Sequence, residues 1–147
     1  MADTLLRALF INFIAASGAV AGHSYDTLPD NDDTAVTPST TVDTFGNYAQ
    51  VASTVGAADI WLCGVLISNS TVTDIKVGIG TGLSGAEAAK ITVPAMIISA
   101  AGYASYISLP FPIRVPSGTR LAARAKQGLT TAPTLTVVVE FATGLSG

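Results

Sequence analysis

Short runs in which apolar and polar residues alternate fill most of this chain, and Gly, Pro, Ser or Thr bound each of them. Ile75, Val77 and Ile79 alternate cleanly, as do Leu135, Val137, Val139 and Phe141. A two-residue period is that of a strand with one buried face. Ile60 to Ser68, IWLCGVLIS, is apolar at nearly every position, which predicts a central strand covered on both faces. Tyr48 to Thr54 alternates weakly, whereas Ile91 to Ser99 and Tyr103 to Pro112 are rich in β-branched or aromatic residues. Pro110, Pro112 and Pro116 punctuate the last run and its C-terminal flank. Proline donates no backbone N–H, so this segment belongs on a sheet edge or in a loop. Val115-Pro116-Ser117-Gly118 has the chemistry of a tight turn. Arg120 to Ala125 then puts Leu121, Ala123 and Ala125 on one face and Arg120, Ala122 and Arg124 on the other. Thr134 to Ala142 and a strand near Ala35 to Val42 bring the total to eight. The pattern predicts an all-β fold, a β-sandwich in the form of an eight-stranded jelly roll.

The first 22 residues read differently. Leu5, Leu6, Leu9, Phe10, Phe13 and Ile14 recur at helical spacing, although residues 10–14 suit a short strand equally well. Residues 22–41 carry Asp26, Asp30, Asp32 and Asp33 with Pro29 and Pro38, and read as a polar linker. The expected division is an apolar N-terminal arm with an acidic linker over residues 1–41, and a β-sandwich domain over 42–147. Ala8 to Ala16 followed by Ala19-Val20-Ala21 imitates an export signal, but Asp3 offsets Arg7 and Asn12 interrupts the run. A retained N-terminus is therefore expected. The 23 uncharged residues between Lys90 and Arg114 could span a bilayer by length alone. Pro94, Gly102, Pro110 and Pro112 divide them into two strands instead, so no membrane partner is expected.

Composition turns the fold towards assembly. Charged residues make up only 12% of the chain, about half the usual ~25%, while 18 Thr and 12 Ser fill the polar positions. A lone domain with so little charge exposes broad neutral surface, which favours association. The net charge of −3 is unevenly laid out: residues 1–87 hold nine acids and two bases, residues 88–147 five bases and one acid. Either the halves mix within one fold, or opposite-signed faces pair between subunits. An acidic domain is a poor nucleic-acid binder.

Motifs that imitate catalytic or cofactor sites fail on their surroundings. Gly80-Thr81-Gly82-Leu83-Ser84-Gly85 matches G-x-G-x-x-G, but a strand rather than a helix is predicted after Lys90, and no acid lies between Glu87 and Glu140. A glycine turn between strands is expected, and no cofactor. Ala86 stands where the last glycine of G-x-S-x-G would follow Ser84. The single histidine, His23, lies on the linker, far from a triad. Asp30-x-Asp32 lacks the glycine and distal glutamate of a calcium loop. The one cysteine, Cys63, sits in an apolar run and reads as a buried structural thiol. No enzymatic activity is expected.

Three segments then fall in order: Ile79-Gly80-Thr81-Gly82 with Gly85 and Glu87; Leu109-Pro110-Phe111-Pro112-Ile113; and Val115-Pro116-Ser117-Gly118-Thr119-Arg120-Leu121-Ala122-Ala123-Arg124. Together they resemble small β-sandwich proteins of tailed-bacteriophage virions, of the head cement or decoration type. The resemblance covers roughly residues 60–142 and leaves the arm outside. It implies a non-enzymatic structural protein on the outer capsid surface, commonly a homotrimer that bridges subunits of the major capsid protein. It assigns no contact residues. A tail or baseplate structural or receptor-binding sandwich, and an exported β-sandwich adhesin, remain as alternatives.

The pattern also offers candidate interface residues. Leu9, Phe10 and Phe13 give the arm an apolar surface to dock on a neighbour. Arg114, Arg120, Arg124 and Lys126 lie within thirteen residues that contain no acid. Arginine pairs planar and bidentate with carboxylates, so Arg120 or Arg124 is expected to reach another subunit or capsid protein. The small Ala122, Ala123 and Ala125 would let that chain come close. The alternative is a solvated basic strand whose ion pairs are worth about 0–1 kcal/mol each.

Overall fold

Strands of two antiparallel sheets account for most of the residues described by the computed structural model, which are 25–30, 32–68, 74–96, 105–128, 130 and 134–144. In chain order they are β1 (Tyr25–Leu28), β2 (Thr34–Val36), β3 (Ala49–Ala52), β4 (Ile60–Ser68), β5 (Asp74–Thr81), β6 (Ala88–Met96), β7 (Ser105–Val115), β8 (Leu121–Gln127) and β9 (Leu135–Ala142). The first sheet runs β1-β9-β4-β7, with β2 also paired to β9; the second runs β3-β8-β5-β6. From β2 onward only β5 and β6 are consecutive partners in one sheet. Every other connection carries the chain from one sheet to the other.

The predicted alternation sets which side chains meet between the sheets. Leu135, Val137 and Val139 from β9, Ile75, Val77 and Ile79 from β5, and Leu121, Ala123 and Ala125 from β8 all enter one core. In β4 the inward set is Ile60 and Leu62, then Val65 and Ile67, so the phase slips by one residue. The slip is a bulge: the register of β4 shifts between Leu62 and Gly64 against both of its neighbours. One extra residue turns the strand over, which is why its sequence looks apolar on both faces. β4 is central, between β9 and β7, as its composition predicts.

Prolines mark the edges. Pro94 lies on β6 and Pro110 and Pro112 on β7, the outermost strands of their sheets at one side. β7 runs on to Val115, beyond its predicted end. Leu62 pairs with Ile113 and Gly64 with Ser108, so residues 109–112 bulge opposite Cys63. An edge strand tolerates this, because the missing proline N–H groups face no partner strand. The turn after β7 closes one residue later than predicted, with Thr119 N–H donating to Pro116 O at 3.2 Å and Gly118 at φ 70°.

The stretch read as an acidic linker supplies an unexpected β1, and the strand expected near Ala35 to Val42 forms as the earlier and shorter β2. Thr34 and Val36 are buried, and Leu28 packs against the core. β1 and β2 are four and three residues long, too short for a period to emerge among the aspartates around them. Nine strands therefore replace the predicted eight among the described residues. The arm with Leu9, Phe10 and Phe13, and also His23, lies outside the described residues.

Leu62 is fully buried where β4 changes phase. Leu62→Ala should cost about 2–5 kcal/mol, the usual range for a truncated core leucine. Urea unfolding should show this as a lower midpoint at unchanged slope.

Candidate functional site

Since Leu121, Ala123 and Ala125 enter the core, the intervening Ala122, Arg124 and Lys126 stand on the outer face of the second sheet. On the neighbouring β5, Gly78 lies opposite Arg124 and Gly80 opposite Ala122. These glycines clear a floor. A Cβ on Gly80 would lie 2.7 Å from the Tyr48 hydroxyl, and one on Gly78 would lie 3.4 Å from the Phe45 ring. The segment before β3 supplies both aromatics. It is held along β8 by Asp43 N–H to Gln127 O and Gly46 N–H to Ala125 O, both 2.9 Å. Asp43 turns the chain there in the left-handed region, at φ 56°, a conformation that aspartate adopts more readily than most residues.

The Arg124 guanidinium carbon sits 4.3 Å from the Phe45 centroid and 4.5 Å from that of Tyr48. Cation–π contacts of this kind contribute about 0.5–2 kcal/mol each, depending on how far they are desolvated. The other three candidate cations meet acids of their own chain. Arg120 pairs with Glu87 at 2.5 Å, and both side chains are largely buried. Arg114 pairs with Asp59 at 2.5 Å at a more exposed position. Lys126 lies 3.7 Å from the Asp43 carboxylate and 5.6 Å from the Phe45 centroid. Arg124 alone of the four has no carboxylate among the described residues.

The charge asymmetry between the halves of the sequence thus closes in part inside the fold, with three acids before residue 88 meeting three bases after it. Arg120, expected from sequence to anchor another subunit, is engaged at home. Ala122, Ala123 and Ala125 are wholly buried, so they offer no approach surface. Sequence reasoning missed Asp43, Phe45, Tyr48, Asp59 and Glu87 as partners. The available signal was Gly78-x-Gly80 alternating with the β-branched Ile75, Val77 and Ile79 of one strand, which marks a close approach from above.

The glycine motif resolves into two roles. Gly80 belongs to β5 under Tyr48, while Gly82 and Gly85 adopt φ of 126° and 81° in the turn to β6. A strand, not a helix, comes next. The turn also positions Glu87, whose Oε2 accepts the Gly85 N–H at 3.0 Å. Between this turn, the Gly46–Tyr48 segment and Arg124 opens a cleft of 460 Å³. The Tyr48 hydroxyl and Arg124 Nε are buried there without hydrogen-bond partners. Elsewhere, Cys63 is buried and its thiol donates to Trp61 O at 3.1 Å. Leu83 and Phe111 are the most exposed large apolar side chains described, at 80% and 77%.

No family model and no curated protein sequence matches the chain. Solved structures of infectious bursal disease virus do. The Gx-strain structure aligns at 13% identity and a TM-score of 0.40, covering 82% of this chain and 32% of that one. A viral-particle crystal structure of the same virus aligns at 12% identity and a TM-score of 0.43, covering 82% and 31%. The VP2 subviral particle aligns at 8% identity and 0.40, covering 82% and 32%. The chain thus spans about a third of the length of these proteins. Overlap this loose fixes no shared role.

Burial raises the pKa of the Glu87 carboxyl, but hydrogen bonds from backbone N–H groups and from Arg120, with the Arg120 charge, outweigh it, so the net shift is down from 4.5. For Asp59 the Ser117 backbone N–H, at 2.9 Å, and the Arg114 side chain lower the pKa from 3.8 against a smaller effect of burial. A depressed folded-state pKa stabilises the fold above the unfolded value, and this is lost as pH falls through the folded one. Stability should therefore drop below pH 4.5, and Glu87→Gln should flatten part of that drop. Urea midpoints of parent and variant at about pH 7 and pH 3, on either side of the carboxylate range, provide the measurement.

Proposed function

We propose that this chain is a non-enzymatic structural protein of a virion, of the capsid decoration or cement type. In this reading it binds the outside of a phage head as a homotrimer and bridges major capsid protein subunits. The observation that carries it is strand order. We read β2-β9-β4-β7 facing β3-β8-β5-β6, with one in-sheet hairpin and all other connections crossing, as a jelly roll. That architecture recurs in viral capsid domains, and also in lectins and cupins. Two features favour the virion. The chain holds only 12% charged residues, as suits a subunit whose surface is covered by neighbours. The cement-type resemblance over roughly residues 60–142 supports the same reading. The cupin alternative asks for a metal-binding histidine cluster, and the sequence holds one histidine.

Contacts would come from features that the sandwich does not satisfy itself. Phe111 stands out from the β7 bulge between two prolines, and Leu83 from the β5–β6 turn. The arm with Leu9, Phe10 and Phe13 is proposed to dock on a neighbouring subunit or on the capsid. Cryo-electron microscopy of the intact particle tests the assignment. Sandwich-shaped density on the outer head surface is expected; density confined to the tail would overturn the head assignment.

Deleting residues 1–24 ends before β1 and keeps all nine described strands. The truncated chain should unfold like the parent in urea yet fail to assemble or to bind heads. Loss of cooperative unfolding would show that the arm belongs to the sandwich core.

A further inference from the structure

We propose that the Arg124 cleft receives the acidic β1–β2 turn of a second copy of this chain, in a head-to-tail contact. The inference rests on the structural-subunit reading and adds the surfaces that join one copy to the next. Arg124 is held between Phe45 and Tyr48, so its side chain is ordered before any partner arrives. An arginine fixed in this way loses little conformational freedom on binding, a property of residues that dominate interfaces. Arg124 and Tyr48 line the cleft, and the Arg124 Nε and the Tyr48 hydroxyl, buried beneath its surface, have no hydrogen-bond partner among the described residues. Ser84 and Asn47 add further hydrogen-bonding groups to the wall. Glu87 is the one carboxylate among the described residues lining the cleft, and Arg120 already neutralises it. The surplus charge at the cleft is therefore the single positive charge of Arg124.

Complementarity selects the occupant. Asp30, Asp32 and Asp33 are exposed on the short connection between β1 and β2. None of them forms an ion pair with a described residue. Among the described residues the Asp32 carboxylate accepts the neighbouring Asp33 N–H alone, at 2.8 Å, which leaves it able to take a second donor. This turn sits on the first sheet and the cleft on the outer face of the second. Two different patches of one chain make a heterologous contact, which closes into a ring when the rotation allows and otherwise propagates. A homotrimer is such a ring.

Charge exchange in the full chain tests the contact. Sedimentation velocity should show concentration-dependent association of the parent that weakens with added salt. Asp32→Lys with Asp33→Lys, at exposed positions that the fold does not need, should weaken association at least about tenfold. Arg124→Glu should do likewise, and combining all three substitutions should restore association, because the charges are then exchanged. Arg124→Glu could also loosen the aromatic clamp, so the paired aspartate variant and the rescue carry the decision. A parent that stays monomeric, an aspartate variant that associates like the parent, or a triple variant without rescue each overturns the proposal. Head binding by the monomeric aspartate variant would preserve the structural-subunit reading while removing this contact from it.

Discussion

Glycine in the inner strand of each sheet is the constraint on which the outer faces depend. In the first sheet Tyr106 of β7 reaches across Gly64 of β4 and donates its hydroxyl proton to Glu140 of β9. In the second, Tyr48 lies over Gly80 of β5 and flanks Arg124. Any side chain at these glycines would push the aromatic ring off the sheet. The cost to strand propensity is real, since glycine neither packs nor stiffens a strand. What is gained is an aromatic lid on each exposed sheet face, in a chain with too few charges to cover those faces with solvated side chains. The bulge in β4 belongs to the same arrangement. By shifting the phase at Cys63 and Gly64 it keeps Leu62 and Val65 both inward and leaves Gly64 beneath Tyr106.

That arrangement separates what the sequence made legible from what it hid. Strands whose pattern comes from one buried face, such as β5, β8 and β9, can be read directly, because burial alone determines the alternation. The edge position of β7 was legible from its prolines, and the central position of β4 from its apolar run. β1 was not, and β2 only as a strand expected near Ala35 to Val42. Their register comes from pairing with β9, a contact across roughly a hundred residues of chain, and their contribution to the core is a single Leu28 and a single Val36. Tertiary pairing overrode a local sequence that looked like linker.

The candidate site shows the same split. The cations on β7 and β8 were visible as a cluster, and their acids were visible as an excess before residue 88. Which acid meets which base is a matter of topology. β7 lies in the first sheet and β8 in the second, so Arg114 and Arg120, close in sequence, find Asp59 and Glu87 in different connections. The sequence left open whether these charges meet within one fold or between subunits, and for Arg114, Arg120 and Lys126 the fold supplies a carboxylate of the same chain. Arg124 differs from the others because the segment over it brings two aromatic rings and no carboxylate within reach.

The four lateral edges of the sandwich bear on how copies can meet. β6 and β7 carry Pro94, Pro110 and Pro112, and β7 is bulged. β3 is four residues long with a register shift between Gln50 and Ala52, and β1 and β2 are shorter or no longer. Prolines, bulges and brevity are the features that keep an edge from pairing with another chain's strand. Backbone strand addition is therefore a poor route to assembly for this protein. For the described residues, contacts between copies would then use side chains presented by turns and sheet faces. The few that stand out are Phe111 on the β7 bulge, Leu83 on the β5–β6 turn, the aspartates between β1 and β2, and Arg124 in its aromatic clamp. Two are apolar and two are of opposite charge, so a charge-poor surface can still specify the orientation in which subunits meet.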